Sequence, residues 1–381
     1  MLRHVSHGRA IRLASPAAAF GISPVCYVQG LKGTIFAVLV HAAFLSVTLG
    51  AVIAPPPSGK LYHGFYWGGV GTDTHDPTEH DVTPADVERY EQAVGAQITW
   101  VYFSDNWFES REFPRAMCDW IRQSGKIPYI RLMLRSDVDQ NHSEKRFTLE
   151  RIVRGDFDAD LERWGTEAKK YGGPFLIEWG TEPNGEWFSW NGKWHGRGTT
   201  AAALYVRAWR HIVDRIRRSG ADNLTWVWHA NWWDEPETKW NRLENYYPGD
   251  DYCDWIAVSV YGPITPRAKE GLESFRAKMD QVFPRLTNLS QKPILLAEFG
   301  CDIHNPRLNA ADWAKSALDD LFSKRWPRLI GFCWWNEGWQ NDNVKKHDSD
   351  LIITHDPDLT KVFRQELANH RAQIQESAVT K

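Results

Sequence analysis

The chain has 381 residues, 43% hydrophobic and 24% charged, a balance that fits a soluble globular protein of one large domain or two small ones. Its formal net charge of −3 leaves no basic field to hold nucleic acid or an anionic membrane surface. Tryptophan is the anomaly, with 21 residues beside 12 Tyr and 17 Phe. Indole prefers half-buried positions where its N–H finds a partner. Many of these Trp stand beside Gly, Asn, Asp and Glu in expected loops, where a flat apolar plate with a polar edge suits the C–H face of a pyranose ring. A Trp-rich core is the competing reading.

The first 54 residues differ from the rest. They contain Arg3, Arg9, Arg12 and Lys32 and no acidic residue, and an apolar run over 34–54 ends at Pro55-Pro56-Pro57. Basic flank, apolar stretch and small residues at Val52 and Ala54 form a secretory signal pattern, and the run is also long enough to span a bilayer. We expect a leader over 1–57, cleaved or kept as an anchor, and a single folded body over 58–381. The body is expected to be secreted, periplasmic or tethered to a membrane facing outward. Membrane contact is expected only through 34–54. Cys118, Cys253, Cys301 and Cys333 match no zinc or CxxC spacing. They read as small buried apolar residues, although export would permit a disulfide.

Short apolar runs then alternate with amphipathic stretches. Strands are expected near 62–67, 98–103, 127–132, 175–181, 224–229, 255–260, 294–298 and 330–335. Helices are expected over 84–94, 114–124, 157–171, 201–219, 267–283, 310–324 and 359–375. Pro84 fits a first helical turn after Thr83, and Thr199 and Asn309 fit N-caps. Strands separated by helices imply parallel pairing. No GxGxxG follows a strand, which removes the usual mark of an open doubly wound sheet. A single-domain (β/α)₈ TIM barrel of the α/β class is the economical fold, and it places chemistry at the C-terminal ends of strands.

Two strands end on a carboxylate. The fourth runs into Thr181-Glu182-Pro183-Asn184-Gly185-Glu186-Trp187, and the seventh, Ile294-Leu-Leu-Ala-Glu298-Phe-Gly300, is apolar until Glu298. A buried charge is costly without a job or a partner, and paired Arg residues would explain each Glu alone. Two such Glu about three βα units apart point across a barrel mouth, where facing carboxyls perform retaining glycoside hydrolysis. Glu178 and Arg131 read as a structural buried pair inside the barrel. Aromatic residues after strands are candidate sugar plates: Trp67, Trp107, Trp187, Trp190, Trp194, Trp232 and Trp233. Asp105 and Asn231 are candidate hydroxyl partners, with turn roles as the rival, and Asn184 is a candidate to bind substrate. His63, His229 and His304 are candidates to line the cleft. Glu337, Asp342 and Asp348 belong to a polar loop. His75, Asp76 and His80 form a weak metal motif, and the chain has no G-x-S-x-G elbow.

The Glu182-Pro-Asn184-Gly185-Glu-Trp187 and Glu298-Phe-Gly300 segments resemble the strand-four and strand-seven motifs of glycoside hydrolase clan A. Within that clan the chain is most similar to glycoside hydrolase family 26, the β-mannanase family. The resemblance implies Glu182 as acid/base, Glu298 as nucleophile, Tyr261 as the phenol that orients Glu298, and Trp334 as the floor of the −1 sugar site, with Trp335 its neighbour and rival. It implies no cofactor or metal, a polysaccharide partner and a monomer. The position before the acid/base departs from the family, carrying Thr181 where His is usual and where the clan at large has Asn. Thr is shorter, with a different donor geometry, and this bears on the choice of polymer more than on catalysis. The expected activity is endo-hydrolysis of a β-1,4-linked polysaccharide, mannan first. Mixed-linkage β-glucan, xylan or a bacterial exopolysaccharide remain open, as does a polysaccharide-binding barrel without turnover.

Overall fold

The computed structural model describes residues 52–67 and 82–378. Eight strands form its centre: β1 (Leu61–Trp67), β2 (Trp100–Asn106), β3 (Ile127–Met133), β4 (Phe175–Trp179), β5 (Leu224–Asn231), β6 (Trp255–Tyr261), β7 (Ile294–Gly300) and β8 (Leu329–Asn336). Each pairs in parallel with the next, and β1 pairs with β8, so the sheet closes into the expected barrel. Around it lie α1 (Pro84–Val94), α2 (Arg115–Gln123), α3 (Leu149–Arg154), α4 (Asp158–Tyr171), α5 (Thr199–Arg218), α6 (Phe275–Leu289), α7 (Ala310–Phe322) and α8 (Pro357–Asn369). A small hairpin, β9 (Gly338–Trp339) with β10 (Ser349–Asp350), follows β8, and β11 (Ile374–Gln375) pairs with the start of β1.

The elements follow local chemistry. Thr83 caps α1 in a reciprocal box with Asp86, and Pro84 occupies the first turn, where its missing N–H costs nothing. Asn309 caps α7. Thr199 is the first helical residue of α5, not its cap: Gly198, at φ 88°, holds the cap position with no side-chain bond. The helix expected from 267 starts only after Ser274, whose hydroxyl accepts from the Ala277 N–H. Between β5 and β6 there is only a 3₁₀ turn, Leu243–Tyr246.

Apolar side chains divide into two layers. Alternate strand residues face the helices, and the others fill the barrel. The interior is aromatic: Tyr62, Trp100, Tyr102, Tyr129 and Trp255 pack there against Ala257, Ala297 and Leu295. Bulk is matched by absence of bulk. A Cβ placed on Gly64 would lie 2.0 Å from the Trp100 indole nitrogen.

Ile53 and Ala54 belong to this packing, which moves the expected boundary. Ile53 is 2% exposed among Tyr62, Trp100 and Trp255. Its N–H donates to Thr225 Oγ1 (2.8 Å), and Tyr62 donates to the Ala54 carbonyl (3.0 Å). Ile53 and Ala54 are therefore barrel residues, although they close the apolar run. The rest of that run, over 34–51, lies outside the described residues, as do His75, Asp76 and His80. Among the described residues no helix is long and apolar enough to cross a membrane. Cys118, Cys253, Cys301 and Cys333 are free and buried.

Because Trp100 fills the space beside Gly64, Gly64→Ala is expected to overpack the barrel by about 1–3 kcal/mol. A thermal melt of the variant should show Tm lowered by at least ~3 °C; an unchanged Tm would contradict the size matching.

Candidate active site

Glu298 owes its direction to an irregularity in β7. Leu295 and Ala297 point into the barrel, while Ile294, Leu296 and Phe299 face the helices. Strict alternation would therefore send Glu298 outward. The β6–β7 register steps from Val258↔Leu296 to Ser259↔Glu298, and β8 shows the same surplus residue opposite 296–299. This bulge turns the carboxylate inward, the re-aiming that bulges perform beside functional sites. Two hydroxyls donate to it, Tyr261 at 2.7 Å and Ser259 at 3.3 Å to Oε2, while the Tyr102 oxygen lies 3.4 Å from Oε1 with its one proton turned to Glu178. An ionised carboxylate, which only accepts, is suited to such company. Tyr261 makes the contact to Glu298 expected of it. Lys278, buried in α6, fixes the backbone there by donating to the Tyr261 carbonyl at 2.6 Å.

Glu182 sits where β4 has ended. Gly180 (φ 59°) and Glu182 (φ 48°) both adopt the left-handed region. For a glutamate that conformation is uncommon and is found where surrounding structure enforces it. The enforcement is visible. The Glu182 N–H donates to the His229 carbonyl, the Tyr205 hydroxyl to Gly180, and the Trp190 indole to Thr181. Asn184 bonds the Asn231 and Trp233 carbonyls, Asp234 and the Asn231 N–H, tying this loop to the end of β5. Trp187 donates its indole N–H to Glu182 Oε2 at 2.8 Å. Burial, and then the charge of nearby Glu298, push the Glu182 pKa up to about 7, while His229 and the Ser259 hydroxyl oppose the rise.

Below these two acids lies a buried polar chain. Glu178 accepts from Tyr102 (2.5 Å) and Tyr129 (2.7 Å), meets His229 Nδ1 at 3.0 Å, and has Arg131 at 4.0 Å. Arg131 lies between the faces of Phe188 and Trp335. The structural pair expected of Glu178 and Arg131 is present, with His229 as a closer partner. His229 Nδ1 also meets Thr181 Oγ1 (2.9 Å), and Nε2 meets Ser259 Oγ (2.7 Å). Burial would raise the Glu178 pKa, but His229 and Arg131 hold it below the usual range. Burial likewise opposes the imidazolium of His229, yet Glu178, then Glu298 and Glu182, outweigh it and raise its pKa. Glu178, His229 and Glu298 are also the one group among the described residues whose donor atoms could meet a metal, all within 4.8 Å. Every one of those side chains already has hydrogen-bond partners within the chain, so the arrangement is complete without an ion.

The aromatic candidates separate. Trp334 does not floor the mouth: it is fully buried among Phe299, Trp313 and Phe363 and donates to the Leu351 carbonyl. The register Gly64↔Cys333, Phe65↔Trp334, Tyr66↔Trp335 turns Trp335 inward instead, stacked on Tyr66 at 3.4 Å. Trp107 is core, edge-on to Phe147. Trp190 is core, stacked on Phe188, and Asn184 is a fully buried tie between loops. Trp67 and Trp232 remain half-buried at the C-terminal ends of β1 and β5, Trp232 beneath Lys278 Nζ at 5.0 Å. Asp105 serves Trp164, and His63 faces outward to Tyr90. His304 is exposed near Asp350, away from the two acids' contacts. Ser259, Tyr102, Tyr66 and Trp335 were not among the expected site residues, or not preferred. Their inward parity on β6, β2, β1 and β8 is the signal that finds them.

Trp334→Ala, which empties a packed site between sheet and helices, is expected to cost about 3–5 kcal/mol. Denaturant titration of this variant should show the loss. A near-wild-type midpoint would return Trp334 to the mouth.

Comparison with known proteins agrees with this fold. The model for glycosyl hydrolase family 26 matches residues 151–351. Endoglucanase H of Acetivibrio thermocellus is 26% identical over 258 residues, 67% of this chain and 27% of its own length. Mannan endo-1,4-β-mannosidase A and B of Caldalkalibacillus mannanilyticus is 28% identical over 164 residues, 42% of this chain and 28% of its own. The chain thus spans roughly a quarter of the length of these relatives. The catalytic domain of a GH26 endo-β-1,4-mannanase from Bacillus sp. JAMB-750 shares the fold, with TM-score 0.56 and 15% identity over 83% of this chain and 87% of that one. More than half of this sequence, both strand-end glutamates included, lies within the matched segment, and the chain belongs to glycosyl hydrolase family 26.

Proposed function

We propose that this barrel hydrolyses internal β-1,4 bonds of a polysaccharide, mannan first, with retention of anomeric configuration. One observation carries the reading: two buried carboxyls share the barrel mouth, Glu298 met by the hydroxyls of Tyr261 and Ser259, and Glu182, whose pKa burial and the charge of Glu298 push up. That is the division of labour a retaining pair needs. Glu298 attacks the anomeric carbon. As the bond to the leaving oxygen breaks, Glu182 gives that oxygen its proton, and a glycosyl ester forms on Glu298. Esterification removes the charge that raised Glu182, so Glu182 becomes a base. It takes a proton from water, the water oxygen bonds to the anomeric carbon, and the ester bond to Glu298 breaks.

The polymer is the finer part of the proposal. Thr181 spends its hydroxyl on His229, where the family's usual histidine would present a ring. This, with a relative named as an endoglucanase, favours β-glucan as the second substrate to try. An exported, monomeric enzyme fits the basic, apolar leader and a substrate too large to enter a cell.

Product anomers followed by NMR on mannan, glucan and xylan panels test the reading. Glu298→Gln and Glu182→Gln are each expected to lower kcat at least ~10³-fold on polymer while binding persists. Since the acid must be protonated, kcat/KM should fall as pH rises through about 7. Inverted product, or turnover surviving both substitutions, sinks the mechanism.

A further inference from the structure

We propose that His229 is a charged positioning residue, an imidazolium held by Glu178 that steers the nucleophile through the hydroxyl of Ser259. The inference rests on the retaining mechanism above for its catalytic meaning, but its physical content concerns the resting protein.

One direction of donation gives Glu298 the serine proton and charges the ring. His229 is fully buried, with an oxygen at each ring nitrogen. On one side Glu178 Oε2 lies 3.0 Å from Nδ1, and this carboxylate already accepts two phenols, so it takes the Nδ1 proton and gives none. On the other side Nε2 is 2.7 Å from Ser259 Oγ, and that hydroxyl lies 3.3 Å from Glu298 Oε2. Ser259 has one proton. Directed to Glu298, it leaves the serine oxygen as an acceptor, which calls for a proton on Nε2 as well. Both nitrogens then donate, the ring carries a positive charge, and Glu178 is its buried counter-ion. The serine passes part of that charge to Glu298 as a polarised donor. The chain runs Glu178, His229, Ser259, Glu298, crossing the barrel from β4 through β5 and β6 to β7.

The titratable groups facing this chain are Tyr102 from β2, Tyr129 and Arg131 from β3, Glu182 after β4, Tyr261 from β6 and Cys333 from β8. The phenols and the thiol stay neutral through the working range, because burial first, and carboxylates second, push them up. Arg131 is a permanent cation, nearest Glu178. His229 is thus the group whose loss of charge both acids would register. A purely structural imidazole, neutral and wedged between strands, would leave their proton affinities alone.

The test uses the full chain with ¹⁵N-labelled histidine and ¹³C-carboxyl-labelled glutamate. In the wild type at pH 7.5, both ring nitrogens of His229 are expected to be protonated. In Ser259→Ala the ring should stay charged while the proton affinity of Glu298 rises at least about threefold, and Ser259→Thr should restore it. In Glu178→Gln the ring should become neutral, with Glu298 and Glu182 both rising, so that the whole bell of kcat/KM moves to higher pH. A neutral wild-type His229, or Ser259→Ala with an unmoved Glu298, overturns the proposal; Ser259→Ala decides it even where Glu178→Gln fails to fold. Carboxyl titrations need no turnover. Displaced titrations in a protein that cleaves no glycan would therefore overturn the hydrolase reading and leave this inference standing.

Discussion

The mouth of this barrel is governed by the cost of taking carboxylates out of water. Glu178, Glu182 and Glu298 are all buried within reach of one another's fields. An isolated ion in such surroundings would neutralise or unfold its host. Each has a different settlement. Glu178 is met by a histidine and an arginine, Glu298 by the hydroxyls of Tyr261 and Ser259, and Glu182 is hydrogen-bonded by Trp187, while burial and the charge of Glu298 leave it the acid most ready to keep its proton. The chemistry proposed for the site is the difference between these settlements.

Holding that difference requires rigid surroundings, and these come from side chains that never touch a reacting atom. Asn184, Trp190 and Tyr205 pin a loop whose glutamate adopts an unfavoured backbone conformation. Lys278 clamps the carbonyl of the tyrosine that orients Glu298. Its own pKa is lowered to about 8 by burial, and the ammonium stays charged at neutral pH. The motif segments are therefore mostly scaffolding, with one buried acid in each.

The barrel was legible in the sequence because parallel strands buried on both faces read as apolar runs of near-constant length, and both glutamates stood out by ending such runs. What parity decides was less legible. Trp334 and Trp335 are adjacent and chemically alike, and only the pairing of β8 with β1 tells which enters the barrel. Trp107 and Trp190 follow strands, as sugar plates would, yet turn back into packing that sequence proximity does not reveal. Ile53 and Ala54 read as the tail of a leader because apolar residues look the same whether they meet lipid or the floor of a barrel. The link from Thr181 to His229 joins the loop after β4 to a residue of β5, and no local pattern announces it.

The bulge in β7 carries a consequence for evolution. A β7 of the same residues without the bulge would alternate without interruption, with every ladder bond regular, and would carry its glutamate into the oily layer beneath the helices. Selection for sturdiness alone favours repairing such a flaw. Its presence here marks a strand bent away from regularity for the sake of where one oxygen points.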